Sequence, residues 1–162
     1  MKKSHLAALI IASLAWLATP SCAPAKAATF KIIISGPDLP APLEITDDQI
    51  LNLSNVWSGQ FLDNSHGHPE KPPERLPYEL SFYVKLNEDD LRLMYVVYYY
   101  PEPSMKQGQI YLPGHREPWY YLNTGTIIRA GQDGCWNYAA PAWEALIKPV
   151  IAHTAGHRQS GP

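Results

Sequence analysis

The chain has 162 residues, of which 46% are hydrophobic and 17% are charged, and its formal net charge at pH 7 is −2. This length suits a single domain with a buried core, since domains commonly contain about 100–150 residues. The basic residues form no cluster along the sequence. Nucleic acid and anionic membrane surfaces are therefore excluded as expected partners.

Residues 1–27 are predicted to form a secretory signal peptide. Lys2 and Lys3 give a positive start, and residues 6–18, LAALIIASLAWLA, carry no charge. This apolar run is shorter than the roughly 20 residues that span a bilayer, but it is typical of a signal-peptide core. Without Lys2, Lys3 and Lys26, ten Lys and Arg residues remain against fifteen Asp and Glu residues, a net charge of −5. The pattern is typical of an exported bacterial protein, periplasmic or extracellular, with no transmembrane segment in its mature chain.

A lipid anchor at Cys22 is the alternative to cleavage after residue 27. The preceding Thr19-Pro20-Ser21 lacks the pattern of Leu, a small residue and Gly or Ala that normally leads to a lipidated cysteine. With either form of processing, Cys135 has no second cysteine in the folded domain with which to form an internal disulfide. We expect Cys135 to be a buried, unreactive thiol.

The first elements predicted in the mature chain are a strand and a helix. Residues 29–34, TFKIII, favour a strand, which the proline-rich GPDLPAP that follows cannot continue. Thr46 and Gln49 form a capping-box pattern at the start of a helix. Gly59 is placed to end this helix. Its core-facing residues would be Ile50, Leu53 and Trp57.

Residues 62–77, LDNSHGHPEKPPERLP, are predicted to form a long solvent-exposed loop, because they include four prolines and show no periodicity. Asp63, His66 and His68 lie in this loop, and His115 in a later turn adds a third imidazole. Imidazole and carboxylate groups are the usual ligands of zinc. The spacing matches no zinc signature, so no cofactor is expected, and a divalent ion such as zinc is the alternative.

Residues 78–86 and 91–100 predict an antiparallel hairpin around a turn at 87–90. Each segment alternates apolar with other residues. With Leu86 opposite Leu91, every facing pair on the core side is apolar or aromatic, so the register is self-consistent. These pairs are Val84 with Leu93, Phe82 with Tyr95, Leu80 with Val97, and Tyr78 with Tyr99.

The remaining elements are short strands and a final helix. Strands are expected at 110–114, 119–122, 126–129 and 135–138. The helix would begin at Pro141 and be kinked or shortened by Pro149. Its apolar stripe contains Trp143, Leu146, Ile147 and Val150. The predicted fold is a single α+β domain over 28–152, mostly an antiparallel meander of about five strands with one helix near each end. Residues 153–162 would be a flexible tail.

The candidate binding residues are aromatic. If a turn pairs Tyr100 with Gln109, Tyr98 faces Tyr111. In this register Tyr83, Tyr98, Tyr100 and Tyr111 share the sheet face opposite the core, and Trp119 and Tyr120 form a second patch. Such a face is either a second core layer or, if uncovered, a surface on which ligands stack. We found no nucleophile motif and no phosphate-binding loop, and we assign no catalytic residue. The expected function is that of an exported, non-catalytic binding or interaction domain for a small molecule, glycan or protein. The alternative is a hydrolytic or metal-dependent enzyme with a site at His66, His68 and His115.

Overall fold

The computed structural model describes residues 28–55, 57–63, 65, 67–70, 76–102, 107–123 and 134–156. Along these residues the chain forms seven strands and three helices. They are β1 (Thr29–Ser35), β2 (Leu43–Ile45), α1 (Asp48–Leu53), β3 (Leu62–Asp63), β4 (Tyr78–Asn87), β5 (Asp90–Tyr100), β6 (Gln109–Tyr111), α2 (Tyr120–Asn123), β7 (Trp136–Ala139) and α3 (Pro141–Gly156). The predicted signal peptide and the predicted strand at 126–129 lie outside the described residues.

The seven described strands form one antiparallel sheet in the order β2-β1-β4-β5-β6-β7-β3. The predicted α+β class is confirmed, although the sheet has more strands than the five expected. One addition is β3, whose Leu62 and Asp63 pair with Ala139 and Tyr138 of β7. The prediction of a loop from residue 62 is therefore wrong at its start. A two-residue strand is too short to show the alternation by which strands are recognised.

One face of the sheet, called the inner face here, packs against α1 and α3. The apolar side chains on it are almost fully buried, and this burial stabilises the fold by removing apolar surface from water. Trp143 of α3 lies at the centre, with its ring centroid 5.3 Å from that of Tyr99 and 6.3 Å from that of Phe61. Its indole N–H donates to Ser54 Oγ at 2.8 Å, so the buried polar group is satisfied.

The β4–β5 hairpin confirms three of the five predicted pairs. Phe82 lies opposite Tyr95, as predicted. Towards the end of β5, Leu80 pairs with Val97 and Tyr78 pairs with Tyr99, which also agrees with the prediction. A β-bulge follows Phe82, so that Tyr83 rather than Val84 pairs with Leu93. The extra residue, Met94, packs towards the core. The predicted pairing of Leu86 with Leu91 is wrong for the same reason, since the bulge places Leu91 opposite Lys85.

Helix α1 begins one residue later than the capping-box pattern suggested. Its N-cap is Asp47, whose Oδ1 accepts hydrogen bonds from the N–H groups of Gln49 at 2.9 Å and Ile50 at 3.1 Å. The prediction of Thr46 as the cap is wrong. A carboxylate at this position satisfies two free N–H groups and also faces the positive end of the helix dipole.

Helix α1 also ends earlier than predicted, at Leu53 instead of near Gly59. The Asn55 side chain accepts from the N–H groups of Trp57 at 2.8 Å and Ser58 at 3.3 Å, which replaces the helical hydrogen bonds with a turn. Gly59 lies in that turn with a φ of 63°. Trp57 is partly buried against the core, as the apolar spacing predicted, although it lies in the turn and not in the helix.

Helix α3 begins at Pro141, as predicted, and continues through Pro149 to Gly156, four residues beyond the predicted end. Ile147 and Ile151 are buried on either side of this proline, and their packing offsets the hydrogen bond that it cannot donate. Leu146 and Val150 are partly buried beside them. None of the helices in the described part of the chain is long and apolar enough to span a membrane.

Helix α2 occupies most of the segment that was predicted to be a strand at 119–122. Asn123 ends this single helical turn and is 2% exposed. Its side chain accepts from Val96 N at 3.0 Å and donates to Val96 O at 2.7 Å. Strand β6 ends at Tyr111. Beyond that point Asn123 satisfies the N–H and C=O groups of Val96, which another strand would otherwise pair. This tertiary contact overrides the strand preference of the aromatic residues.

Candidate ligand-binding site

The second face of the sheet, called the outer face here, carries a row of aromatic rings. Tyr98 on β5 pairs with Tyr111 on β6, and Tyr111 pairs with Trp136 on β7. Tyr100 pairs with Gln109, two residues further along β5. The two β5–β6 pairs agree with the predicted register. Because side chains alternate along a strand, this pairing brings the four rings to the same face.

The four rings line a depression of about 450 Å³. The centroid of the Trp136 ring lies 4.6 Å from that of Tyr111 and 5.1 Å from that of Tyr100. All four side chains are partly exposed. We call this site the aromatic pocket. Its described lining residues are Pro77, Tyr98, Tyr100, Tyr111, Glu117, Pro118, Gly134 and Trp136.

Glu117 forms the charged wall of the aromatic pocket. Its Oε2 accepts from the Tyr111 hydroxyl at 2.7 Å and from the Gly114 N–H at 2.6 Å. Burial raises the pKa of Tyr111 to about 12, and the hydrogen bond to Glu117 adds to this effect. Burial also raises the pKa of Tyr98 and of Tyr100, with a smaller contribution from the charge of Glu117. The three phenols therefore stay neutral at physiological pH.

The turn that carries Glu117 has an uncommon backbone conformation. Arg116 and Trp119, on either side of Glu117 and Pro118, have φ values of 75° and 71°. Positive φ is unfavourable for side chains of this size, and such residues persist only where the surrounding contacts hold them. The turn is thus held in one conformation at the edge of the aromatic pocket.

Two glycines allow this turn to contact the segment before β7. A Cβ atom on Gly114 would lie 2.9 Å from the Gly134 Cα, so only glycine permits this approach. Leu112 joins the two segments, donating to Cys135 O at 3.1 Å and accepting from Gly134 N at 2.8 Å. The side chain of Cys135 is partly exposed, so the prediction of a buried thiol is wrong.

The other three predicted aromatic residues lie outside the described lining of the aromatic pocket. Trp119 donates from Nε1 to Glu79 Oε2 at 3.3 Å. Glu79 is on β4 and pairs with Tyr98 of β5. Tyr120 makes an edge-to-face contact with His115, with ring centroids 5.2 Å apart. Tyr83 lies further along β4, with Lys31 Nζ 5.5 Å from its ring centroid. The structure therefore brings together three of the six predicted binding residues.

Sequence reasoning missed the fourth ring of the aromatic pocket, Trp136, and its carboxylate, Glu117. Trp136 was assigned to a strand, but nothing in the local pattern showed that this strand pairs with Tyr111. A search for aromatic residues on every predicted strand, paired in all orders, would have included it. Glu117 has no periodic signal, since it lies in an irregular turn.

The predicted metal ligands have separate contacts. Asp63 Oδ2 accepts from Gln107 Nε2 at 2.7 Å. His68 Nδ1 lies 2.9 Å from the Trp136 carbonyl oxygen, and His115 packs on Tyr120. His66 lies outside the described residues. Among the residues that are described, no group of three or more His, Cys, Asp or Glu side chains could hold a metal ion.

A second depression, of about 740 Å³, lies beside α3. Its polar groups have partners within the chain: the Tyr78 hydroxyl donates to Asp38 Oδ2 at 3.1 Å, and the Tyr99 hydroxyl donates to Glu144 Oε1 at 2.6 Å. Lys148 Nζ lies 2.9 Å from the same Glu144 oxygen. The bond from Tyr99 to Glu144 joins β5 to α3, which is a structural role. The aromatic pocket is therefore the stronger candidate for ligand binding.

Comparison with known proteins adds no family to this description. No protein-family model matches the chain, and neither a curated protein nor a solved structure is significantly similar to it. Any function must therefore be argued from the site itself.

Proposed function

We propose that the protein is an exported, non-catalytic binding domain whose ligand occupies the aromatic pocket. One observation carries the proposal: the partly exposed rings of Tyr98, Tyr100, Tyr111 and Trp136 surround a depression of about 450 Å³. Export is inferred from residues 1–27, which lie outside the described residues.

The chemistry of the lining supports binding rather than catalysis. Aromatic rings provide a large contact area and lose little conformational entropy, which makes them effective binding groups. The described ionisable residues of the lining are three neutral phenols and Glu117, whose Oε2 already accepts two hydrogen bonds. A nucleophile with a base beside it, which covalent catalysis requires, is not found among the described lining residues.

The proposal is tested by ligand-observed NMR on the mature chain, 28–162, with a panel of mono- and oligosaccharides, short peptides, aromatic acids and organic cations. We expect at least one class to bind, and Trp136→Ala to remove that binding because it takes away the ring that contacts both Tyr100 and Tyr111. The matched control is Tyr121→Ala, which removes an aromatic ring that is 80% exposed and lies outside the lining.

Two results would contradict the proposal: a panel with no binder, or binding that persists unchanged in a folded Trp136→Ala protein. Circular dichroism establishes that the variant is folded. Export is tested separately by the mass of the protein recovered outside the cytoplasm. Cleavage after residue 27 leaves an N-terminal Ala28, whereas a lipid anchor leaves a modified Cys22.

A further inference from the structure

We propose that the aromatic pocket selects a quaternary ammonium group, the cation carried by choline and related compounds. This inference rests on the proposed binding function and adds the chemical class of the ligand. Rings from three neighbouring strands meet here, with the centroid of Trp136 4.6 Å from that of Tyr111 and 5.1 Å from that of Tyr100. The face of an aromatic ring attracts a cation that lies within about 6 Å of its centroid.

The charges around the aromatic pocket have the sign that this ligand requires. Glu117 lines the pocket. Glu79 of β4 lies at its edge, where it pairs with Tyr98 of β5. No lysine, arginine or histidine is among the described lining residues. The charge among the described lining residues is therefore that of one carboxylate, which favours a cation and disfavours a free carboxylate or phosphate.

The hydrogen bonds of the aromatic pocket favour a quaternary ammonium over a primary one. Glu117 Oε2 already accepts from Tyr111 at 2.7 Å and from Gly114 at 2.6 Å. A primary ammonium brings three N–H donors and a tightly held hydration shell, and so needs several acceptors at close range. A quaternary ammonium has no N–H to satisfy, and its methyl groups can lie directly on the rings.

A sugar fits the aromatic pocket less well for a related reason. Sugar rings stack on aromatic side chains, but their hydroxyl groups also need several polar partners that point into the site. Apart from the tyrosine hydroxyls and the indole N–H of Trp136, Glu117 supplies the polar side chain among the described lining residues. The balance of many rings, one carboxylate and few hydrogen-bonding groups matches a methylated cation.

The site is also held in place before a ligand arrives. The turn carrying Glu117 is fixed by the two hydrogen bonds of Glu117, and Arg116 and Trp119 within it keep φ values of 75° and 71°. The contact of Gly114 with Gly134 closes the same turn against the segment before β7. A site that does not need to reorganise loses less free energy on binding.

The test compares choline with 3,3-dimethylbutan-1-ol, which has the same shape but carries a neutral carbon in place of the nitrogen. Both are titrated into the mature chain by isothermal calorimetry. We expect choline to bind at least roughly tenfold more tightly, because the cation–ring attraction and the carboxylate act on the charged ligand alone. Trp136→Ala and Tyr100→Ala should each weaken choline binding, so the result does not depend on one variant.

Glu117→Gln isolates the contribution of the charge. It should lower the affinity for choline by roughly threefold to tenfold and leave the affinity for the neutral alcohol unchanged. The matched control is Glu88→Gln, which removes the same charge from the exposed turn between β4 and β5 and should change neither affinity.

The outcomes separate this inference from the proposed function. Equal affinities for choline and the alcohol, both lost in Trp136→Ala, would overturn the cation preference and leave the aromatic pocket as the binding site. Absence of choline binding would also overturn the inference, and the ligand panel would then decide the proposed function by itself.

A quaternary ammonium can come from a free solute or from a phosphatidylcholine headgroup. Sedimentation with phosphatidylcholine vesicles, compared with phosphatidylglycerol vesicles, distinguishes the two sources. Co-sedimentation that requires both phosphatidylcholine and Trp136 would identify the headgroup as the source. Choline binding without co-sedimentation would identify a free solute, which we expect because the headgroup phosphate would lie near Glu117.

Discussion

The two faces of the sheet are both rich in aromatic residues, yet they use them differently. On the inner face Phe82, Tyr95 and Tyr99 are completely buried beneath α1 and α3. On the outer face the corresponding rings of β5, β6 and β7 remain partly exposed, because the cover beside them is α2, a helix of four residues, and its preceding turn. The type of residue alone therefore does not distinguish core from binding surface. What distinguishes them is the element that packs on each face.

The largest predicted effect compares the central tryptophan of each face. Trp143→Ala should lower the free energy of unfolding by about 3–5 kcal/mol, because it leaves a cavity in the inner core and removes the bond to Ser54. Trp136→Ala on the partly exposed outer face should lower it by less than about 2 kcal/mol. Urea denaturation measures both. Equal losses would mean that the outer face is a second core layer and not an open site.

The next effect concerns how tightly the inner side is packed at Gly108. A Cβ atom there would lie 2.2 Å from Glu144 Oε1 and 3.0 Å from the Tyr100 carbonyl oxygen. Gly108→Ala should lower the free energy of unfolding by about 2–3 kcal/mol, since the buried carboxylate and the strand must separate. The control is Gly156→Ala at the end of α3, where nothing lies within 4 Å and we expect a change below about 0.5 kcal/mol. A neutral Gly108→Ala would show that this side is loosely packed.

A smaller loss of stability is expected when the contact that holds α2 on the outer face is removed. Asn123→Ala removes both hydrogen bonds to Val96 and leaves its buried N–H and C=O groups without them. We expect the free energy of unfolding to fall by about 1–2 kcal/mol. Hydrogen exchange should show faster exchange at Val96. Asn52→Ala on the exposed side of α1 is the control, and an equally small change in both variants would mean that α2 does not hold the outer face.

The inner face could be predicted from the sequence because its pattern is local. Tyr78, Leu80 and Phe82 alternate along one segment and match a second segment across a short turn. The bulge at Met94 could not be predicted, because beyond it Val84 pairs with Arg92 and Lys85 with Leu91, which the hydrophobic pattern does not favour. The predicted limits of α1 were wrong because two single side chains, Asp47 and Asn55, determine the hydrogen bonding at its ends.

The outer face could be predicted in part. The tyrosines of the aromatic pocket follow from the pairing of β5 with β6, which are close in sequence. Trp136 enters through a pairing with Tyr111 across 24 intervening residues, and no local signal specifies that contact. Glu117 depends on positive φ values at Arg116 and Trp119, which are residue types that rarely adopt them. Long-range pairing and strained turns are the features that one sequence does not show.

The smallest effect is a difference in tyrosine ionisation. Burial and the hydrogen bond to Glu117 raise the pKa of Tyr111 to about 12, from an ordinary value of 10.0. The folded state therefore holds this proton more tightly than the unfolded state does. The resulting stability is present below about pH 10 and is lost as the pH rises towards 12. Absorbance titration should show that Tyr111→Phe removes one late-ionising tyrosine.

Glu117→Gln tests why the pKa of Tyr111 is raised, and it distinguishes the outer face of the sheet from the inner face. It should lower the pKa of Tyr111 without restoring the ordinary value, since burial is the larger cause and remains. On the inner face, burial followed by the bond to Glu144 raises the pKa of Tyr99, and Glu117→Gln should not change it. Glu88→Gln serves as the control for the loss of one charge. If Tyr111 ionised at the same pH in Glu117→Gln as in the unmodified protein, Glu117 would not act on the aromatic pocket, and the cation preference would lose its electrostatic basis.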